Sequence, residues 1–217
     1  MPGDEFRSID NLFQADIRQV MDDRSVEEHH ARIAHYALHD GVPESVITQY
    51  EVARNLYLHA WAVYRFYMVA QHQALIVLEF AVKERFGQKK LGRFARNQGL
   101  RPGLAACIKY LAYHQYVRNS DFDLWWHRRK MHSQEMFQLE VIEKMKAEGL
   151  KEYSYEPDDI DLERYAFDYD YLSVLAENLP PIRNEHAHGS SMLDRQVEGI
   201  FEIVSTIINK IYDPLDS

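Results

Sequence analysis

Between Glu44 and Phe86 the chain runs forty-three residues with neither glycine nor proline. A turn-rich β fold cannot be built on such a stretch, whereas helices can. It is far too long for one ordinary helix, so a kink or break is expected near Tyr67–Val69. Pro43 stands where a first-turn proline belongs, and Gly87 ends the run. Apolar residues fall nearly all round the helix from Leu56 to Val82, the pattern of a helix buried at the centre of a bundle. Trp61, Tyr64, Phe66 and Tyr67 read as its core packing.

The rest of the chain follows the same grammar. Ser25-Val26-Glu27-Glu28 has capping-box spacing, and the helix it starts is expected to end at Gly41. Phe6, Ile9, Leu12, Phe13, Ile17 and Val20 suggest a helix before it. Residues 1–42 are therefore read as an N-terminal helical extension and residues 43–217 as a helical bundle domain. Helices are expected around 103–117 and 124–148, the second closed by Gly149. Residues 151–170 hold eight acids against two bases and read as a solvated loop pinned by its tyrosines. A helix over 168–178 is expected to stop before Pro180-Pro181. In the last helix Val197, Ile200, Phe201, Val204, Ile207, Ile208 and Ile211 share one face. No alternating strand pattern appears. The expected fold is all-α, an antiparallel helical bundle.

The single cysteine, Cys107, excludes an internal disulfide framework and a cysteine-based zinc site. The first ten residues lack the basic start and apolar run of a secretory signal. The longest charge-free run, Phe66–Leu78, is too short to span a membrane. A cytoplasmic location is expected, with no membrane partner. The net charge of -9 argues against bulk nucleic-acid binding. That average hides an asymmetry. Residues 83–130 carry twelve bases and three acids, and the remainder thirteen bases and thirty-one acids. An acidic shell with a local basic track suits selective contact with a polyanion. Lys83, Arg85, Lys89, Lys90, Arg93 and Arg96 are the candidate RNA-binding residues of that track.

There is no Gly-rich phosphate loop, no nucleophile elbow and no H-E-x-x-H zinc helix. Leu179-Pro-Pro-Ile-Arg-Asn-Glu-His-Ala-His-Gly189 is the segment that carries chemistry. In a helix Asn184 and His188 lie one turn apart on one face, and the long Arg183 side chain can swing into the same space. A fixed cation beside an imidazole is what phosphodiester cleavage requires. The cation stabilises charge developing on phosphorus, and the imidazole moves protons near neutral pH. The R-x4-H spacing occurs three times, at Arg24–His29, Arg54–His59 and Arg183–His188. Only the third follows a Pro-Pro pair, ends in glycine and leads into the last apolar helix.

Two features from about Asn55 to Tyr212 resemble a HEPN domain (higher eukaryotes and prokaryotes nucleotide-binding). One is the helix from Ala70 through Glu79-Phe-Ala-Val-Lys-Glu-Arg-Phe-Gly87, similar to the central helix of that family with its basic, glycine-terminated tail. The other is Ile182-Arg-Asn-Glu-His-Ala-His-Gly189, similar to the family's R-polar-x3-H motif. The resemblance implies a four- or five-helix bundle, a homodimer with the two motifs facing each other, and RNA as substrate. It implies cleavage without metal or other cofactor, by attack of the ribose 2′-hydroxyl to leave a 2′,3′-cyclic phosphate. By position, Arg183 would bind the scissile phosphate, His188 would be the general acid/base, and Asn184 would orient His188 or the phosphate. A toxin or phage-defence role, with an antitoxin or defence partner, is implied as well.

Other classes remain open from residues alone. A non-catalytic module binding nucleotide, RNA or protein could use Trp125-Trp126 and His127-Arg-Arg-Lys130 as an aromatic-basic patch. Glu27-x-x-His30 and Glu185-x-x-His188 have the spacing of di-iron carboxylate bundles, for which Glu79 and Glu140 could supply further ligands. His35 and His39 are four apart and could share a metal on one helix face.

Overall fold

Every regular element among the described residues is helical. A computed structural model describes residues 4–21, 25–156, 160–187 and 197–213. The helices, in order, are α1 Ile17–Val20, α2 Val26–Ala34, α3 Glu44–His59, α4 Phe66–Phe86, α5 Gln88–Asn97, α6 Leu104–Tyr113, α7 Asp123–Glu148, α8 Tyr171–Ala187 and α9 Glu198–Tyr212. They form two compact units, Met1–Val117 with Leu172–Ser217, and Arg118–Tyr171. The N-terminal 42 residues thus belong to the larger unit.

In the larger unit α3 and α4 form the central antiparallel pair. Ser45 at the start of α3 donates to Glu84 near the end of α4 at 2.9 Å, and Tyr57 meets Tyr67 with ring centroids 5.2 Å apart at the other end. The third core helix, α9, runs opposite to α3 and alongside α4. The Tyr57 hydroxyl donates to Glu198 at 2.7 Å, and Arg85 Nε donates to the Ile211 carbonyl at 3.0 Å. Ile200, Phe201, Val204, Ile207, Ile208 and Ile211 are all buried, as their spacing predicts. Aromatic and aliphatic side chains fill the space between the three helices, among them Tyr50, Tyr57, Tyr67, Leu75, Leu78 and Phe201, each under 2 % exposed. Burying such side chains is the main drive for assembly, worth about 1.5–3 kcal/mol each.

The break in the glycine-free stretch lies at Ala60–Arg65, ahead of the expected Tyr67–Val69. The sequence has no breaker there. The N-terminal residues make the break instead, by taking the carbonyls that a continuing helix would use. Asp16 N–H donates to the Trp61 carbonyl at 2.9 Å, Gln19 Nε2 to the Ala60 carbonyl at 3.3 Å, and Arg7 to the Ala62 carbonyl. Beneath them, His29 Nε2–H donates to the Tyr57 carbonyl at 2.9 Å. Its Nδ1 accepts from the Tyr67 hydroxyl at 3.3 Å, and Tyr67 in turn accepts from Gln19 at 2.7 Å.

Other expected boundaries move for similar reasons. The helix expected before Ser25 shrinks to a 3-10 turn at Ile9–Asn11 and the single turn of α1. Local side-chain bonds compete with helix there: Ser8 N–H donates to Asn11 Oδ1 at 2.8 Å, and Asp16 caps Arg18 N–H at 3.0 Å. The Ser25 capping box forms as read, with Glu28 N–H on Ser25 Oγ at 3.1 Å and Ser25 N–H on Glu28 Oε2 at 3.0 Å. However, α2 ends at Ala34 rather than Gly41. Arg54 takes the Ile33 and Ala34 carbonyls at 3.3 and 2.9 Å, and Asn209 of α9 takes the Ala37 carbonyl and the His39 N–H. The part of the basic track that follows Gly87 is itself a helix, α5. Gly87 makes that joint possible, since its φ of 83° is one a side chain would resist.

The helix expected over 168–178 is α8, and it passes through Pro180-Pro181. Each interior proline costs about 3 kcal/mol. The burial of Leu172, Leu175, Ala176 and Leu179 on one side of α8 offsets that cost.

In the smaller unit α7 ends at Gly149, which adopts the left-handed conformation of a helix cap at φ 66°. Residues 151–170 form no helix among those described, and aromatic contacts hold them. Trp125 Nε1 donates to the Tyr169 carbonyl at 3.0 Å, Phe137 meets Tyr155 at 4.8 Å, and Tyr165 is buried.

Candidate functional site

The apolar helix α4 carries one polar stripe. His72, Glu79 and Lys83 are spaced by seven and four residues, so they fall within about 40° of one another along one face. Arg183 of α8 docks against this stripe. His72 Nδ1–H donates to the Arg183 carbonyl at 2.9 Å. Arg183 Nη2 stands 3.3 Å from Glu79 Oε2, and Lys83 Nζ bonds the other oxygen, Oε1, at 2.5 Å. Main chain and side chain of Arg183 are therefore fixed by residues two helical turns apart in α4, about 10.5 Å along its axis.

The carboxylate is buried and the cations are not. Glu79 is 8 % exposed, Lys83 35 % and Arg183 34 %. A buried carboxylate needs a countercharge, and here it has two. The Arg183–Glu79 contact is an ion pair without an aligned hydrogen bond, because Glu79 Oε2 accepts none among the described residues. Close by, Cys107 of α6 feels all three charges. Burial pushes its thiol up to about 12, the Glu79 carboxylate adds to the rise, and Lys83 and Arg183 oppose it. That thiol is a core residue with no nucleophilic character.

The sequence-predicted catalytic residues divide. Arg183 has the setting just described, and Asn184 is exposed on the same turn. His188 lies outside the described residues, as do Gly189 and the side chains of Glu185 and His186. In the other two Arg-x4-His spacings, Arg54 and His29 have structural roles. Arg54 closes the end of α2 and pairs with Glu51 at 2.6 Å. His29 is buried against Tyr57, with ring centroids 4.6 Å apart, and Arg24 lies outside the described residues.

The six candidate RNA-binding cations also separate. Lys83 belongs to the Glu79 cluster. Arg85 bonds the Ile211 carbonyl and stacks over Tyr212 at 5.6 Å, so it closes the end of α9. On α5, Lys89, Arg93 and Arg96 follow one another at four and three residues and are exposed, opposite buried Leu91 and Ala95. They form a solvent-facing basic face. Lys90 lies at its margin over the Tyr110 ring at 5.7 Å, and its interaction with Tyr110 raises its pKa. No acid occurs between Glu84 and Asp121, so nothing on α5 itself neutralises that face.

The alternative constellations are dispersed. Glu79 is engaged by Arg183 and Lys83, and Glu140 by Arg164 at 2.7 Å. His35 lies against Tyr36 with ring centroids 4.0 Å apart, whereas His39 bonds the Asn209 carbonyl and lies 3.2 Å from Asp213, beyond the end of α2. No group of three or more His, Cys, Asp or Glu among the described residues is placed to hold a metal ion. Trp125 is buried, Trp126 is 43 % exposed, and Arg129 lies over both rings at 5.3 and 6.0 Å. That packing is mainly structural. No described helix is long and apolar enough to cross a membrane.

Sequence reasoning missed the partnership of His72 and Glu79 with Arg183. Its signal was present: an imidazole and a carboxylate seven residues apart on one face of a largely apolar helix. A scan of protein-family models, a search of curated proteins and a search of solved structures each return no match to this chain.

Proposed function

We propose that the chain is a metal-independent endoribonuclease of the HEPN type, acting as a homodimer. The observation that carries the reading is the fixed Arg183. Arg183 stands five residues before the motif histidine, its guanidinium pairs with a buried carboxylate, its main chain is pinned by His72, and the cation stays a third exposed. A preorganised cation costs no reorganisation when charge develops on a phosphate.

In this reading the ribose 2′-oxygen attacks phosphorus and the bond to the 5′-oxygen breaks. His188 takes the 2′-hydroxyl proton or supplies one to the departing 5′-oxygen, while Arg183 stabilises the non-bridging oxygens. The products are a 2′,3′-cyclic phosphate and a 5′-hydroxyl. Asn184, exposed beside Arg183, orients the histidine or the phosphate. The face of Lys89, Arg93 and Arg96 holds the RNA backbone without reading sequence. Val69, Ile76 and Phe80 are exposed at intervals of seven and four residues along α4, and this apolar stripe supports the homodimer. A toxin or defence effector is the role such an activity would serve in a cell.

One observation favours a second reading, a non-catalytic nucleotide-, RNA- or protein-binding module. Glu79 partly neutralises Arg183, as a purely structural ion pair would. Incubating RNA with the wild type and with His188→Ala in excess EDTA decides between them. Cleavage by the wild type alone supports the nuclease. RNA binding without cleavage supports the module, and a requirement for added metal supports neither.

A further inference from the structure

We propose that Lys83 and Arg183 together grip one phosphodiester group, with Glu79 as the positioning residue that holds both cations. This rests on the phosphate-handling reading of Arg183 and adds a second cation to that site. Charge is the first ground. One cation would neutralise the buried Glu79 carboxylate, yet two converge on it, one on each oxygen. The cluster therefore keeps one unit of positive charge.

Exposure is the second ground. The carboxylate is buried and each cation keeps about a third of its side-chain surface in solvent, 35 % for Lys83 and 34 % for Arg183. The excess charge is on the accessible side of the cluster. Donor capacity is the third. The Arg183 guanidinium has five N–H donors, and no hydrogen bond spends them on Glu79 Oε2. The planar fork suits two oxygens of one phosphate, and the lysine supplies a mobile point charge beside it. Without Glu79 the two cations would repel each other apart. The carboxylate thus spaces them for an anion that bridges both.

The test uses the full chain and a 2′-O-methyl oligonucleotide, which cannot be cleaved by 2′-oxygen attack. Binding is read by fluorescence anisotropy across a salt series for the wild type, Lys83→Gln, Lys83→Arg and Arg183→Gln. Thermal melting is recorded in parallel. Lys83→Gln is expected to weaken binding roughly tenfold, the loss of one charge-assisted contact, and to lower the salt slope by about one. Lys83→Arg is expected to restore both. If Lys83 only neutralises Glu79, Lys83→Gln lowers the melting temperature and leaves affinity and slope at wild-type values, and the proposal is overturned. A wild type that cleaves no RNA while its oligonucleotide binding depends on both cations would remove the nuclease reading and leave this site standing.

Discussion

Glu79 of α4 faces Arg183 of α8 across 3.3 Å, from a carboxylate that is 8 % exposed to a guanidinium that is 34 % exposed. Because Lys83 shares the same carboxylate, loss of either cation leaves the other to compensate it. Lys83→Gln and Arg183→Gln should each cost about 1 kcal/mol, since both cations are partly solvated. The double variant strands a buried charge and should cost about 3–5 kcal/mol, well above the sum. Urea denaturation of the four proteins measures the coupling. Additive losses would show that the two cations do not serve one carboxylate.

The basic face of α5 predicts a salt effect separable from stability. Lys89, Arg93 and Arg96 are exposed and lie opposite the buried Leu91 and Ala95. Replacing all three by Gln should lower the salt slope of RNA binding by about two to three. The unfolding free energy from urea denaturation should stay within about 0.5 kcal/mol of wild type, as for ordinary surface changes. An unchanged slope would remove this face from the RNA path.

Cys107 should report unfolding. Its thiol is 1 % exposed, and burial together with the Glu79 charge pushes it up to about 12. At about pH 8 an unfolded cysteine is partly thiolate. Labelling by iodoacetamide should therefore be slow in the native protein and accelerate with urea along the unfolding curve. Fast labelling without denaturant would contradict the packing of α6.

Asp16 should set part of the acid limit. Burial pushes its carboxyl up, but hydrogen bonds and charge from Arg18 outweigh that, so it titrates below the usual carboxylate value of 3.8. A depressed folded pKa adds stability that is fully present above the unfolded pKa and is lost as pH falls through the folded one. Stability should drop below about pH 4, and the drop should be shallower in Asp16→Asn. Equal acid profiles by urea denaturation would show that Asp16 carries none of it.

The all-α fold was legible from the breaker-free stretch and from the period of α9. Helix ends were legible where their chemistry is local, as at the Ser25 capping box and at Gly149. They were not legible where a distant group takes the carbonyls. The end of α3 depends on Asp16 and Gln19, the end of α2 on Arg54, and the passage of α8 through Pro180-Pro181 on buried leucines. The site shows the same division. Arg183 was found through its motif, but its partners sit more than a hundred residues away on another helix. Single-sequence spacing cannot bring two helices together. A polar stripe on an apolar helix was the only trace of that docking.

The most direct test of the central claim is a rate and product analysis of RNA cleavage in excess EDTA, with an RNA and its all-deoxy counterpart. The wild type should cut only the RNA and leave 2′,3′-cyclic phosphate and 5′-hydroxyl ends. His188→Ala should be slower by about 10²–10⁴, and Arg183→Gln by about 10²–10³. Cleavage of the deoxy strand, linear phosphate ends, or equal rates in all three proteins would contradict the account.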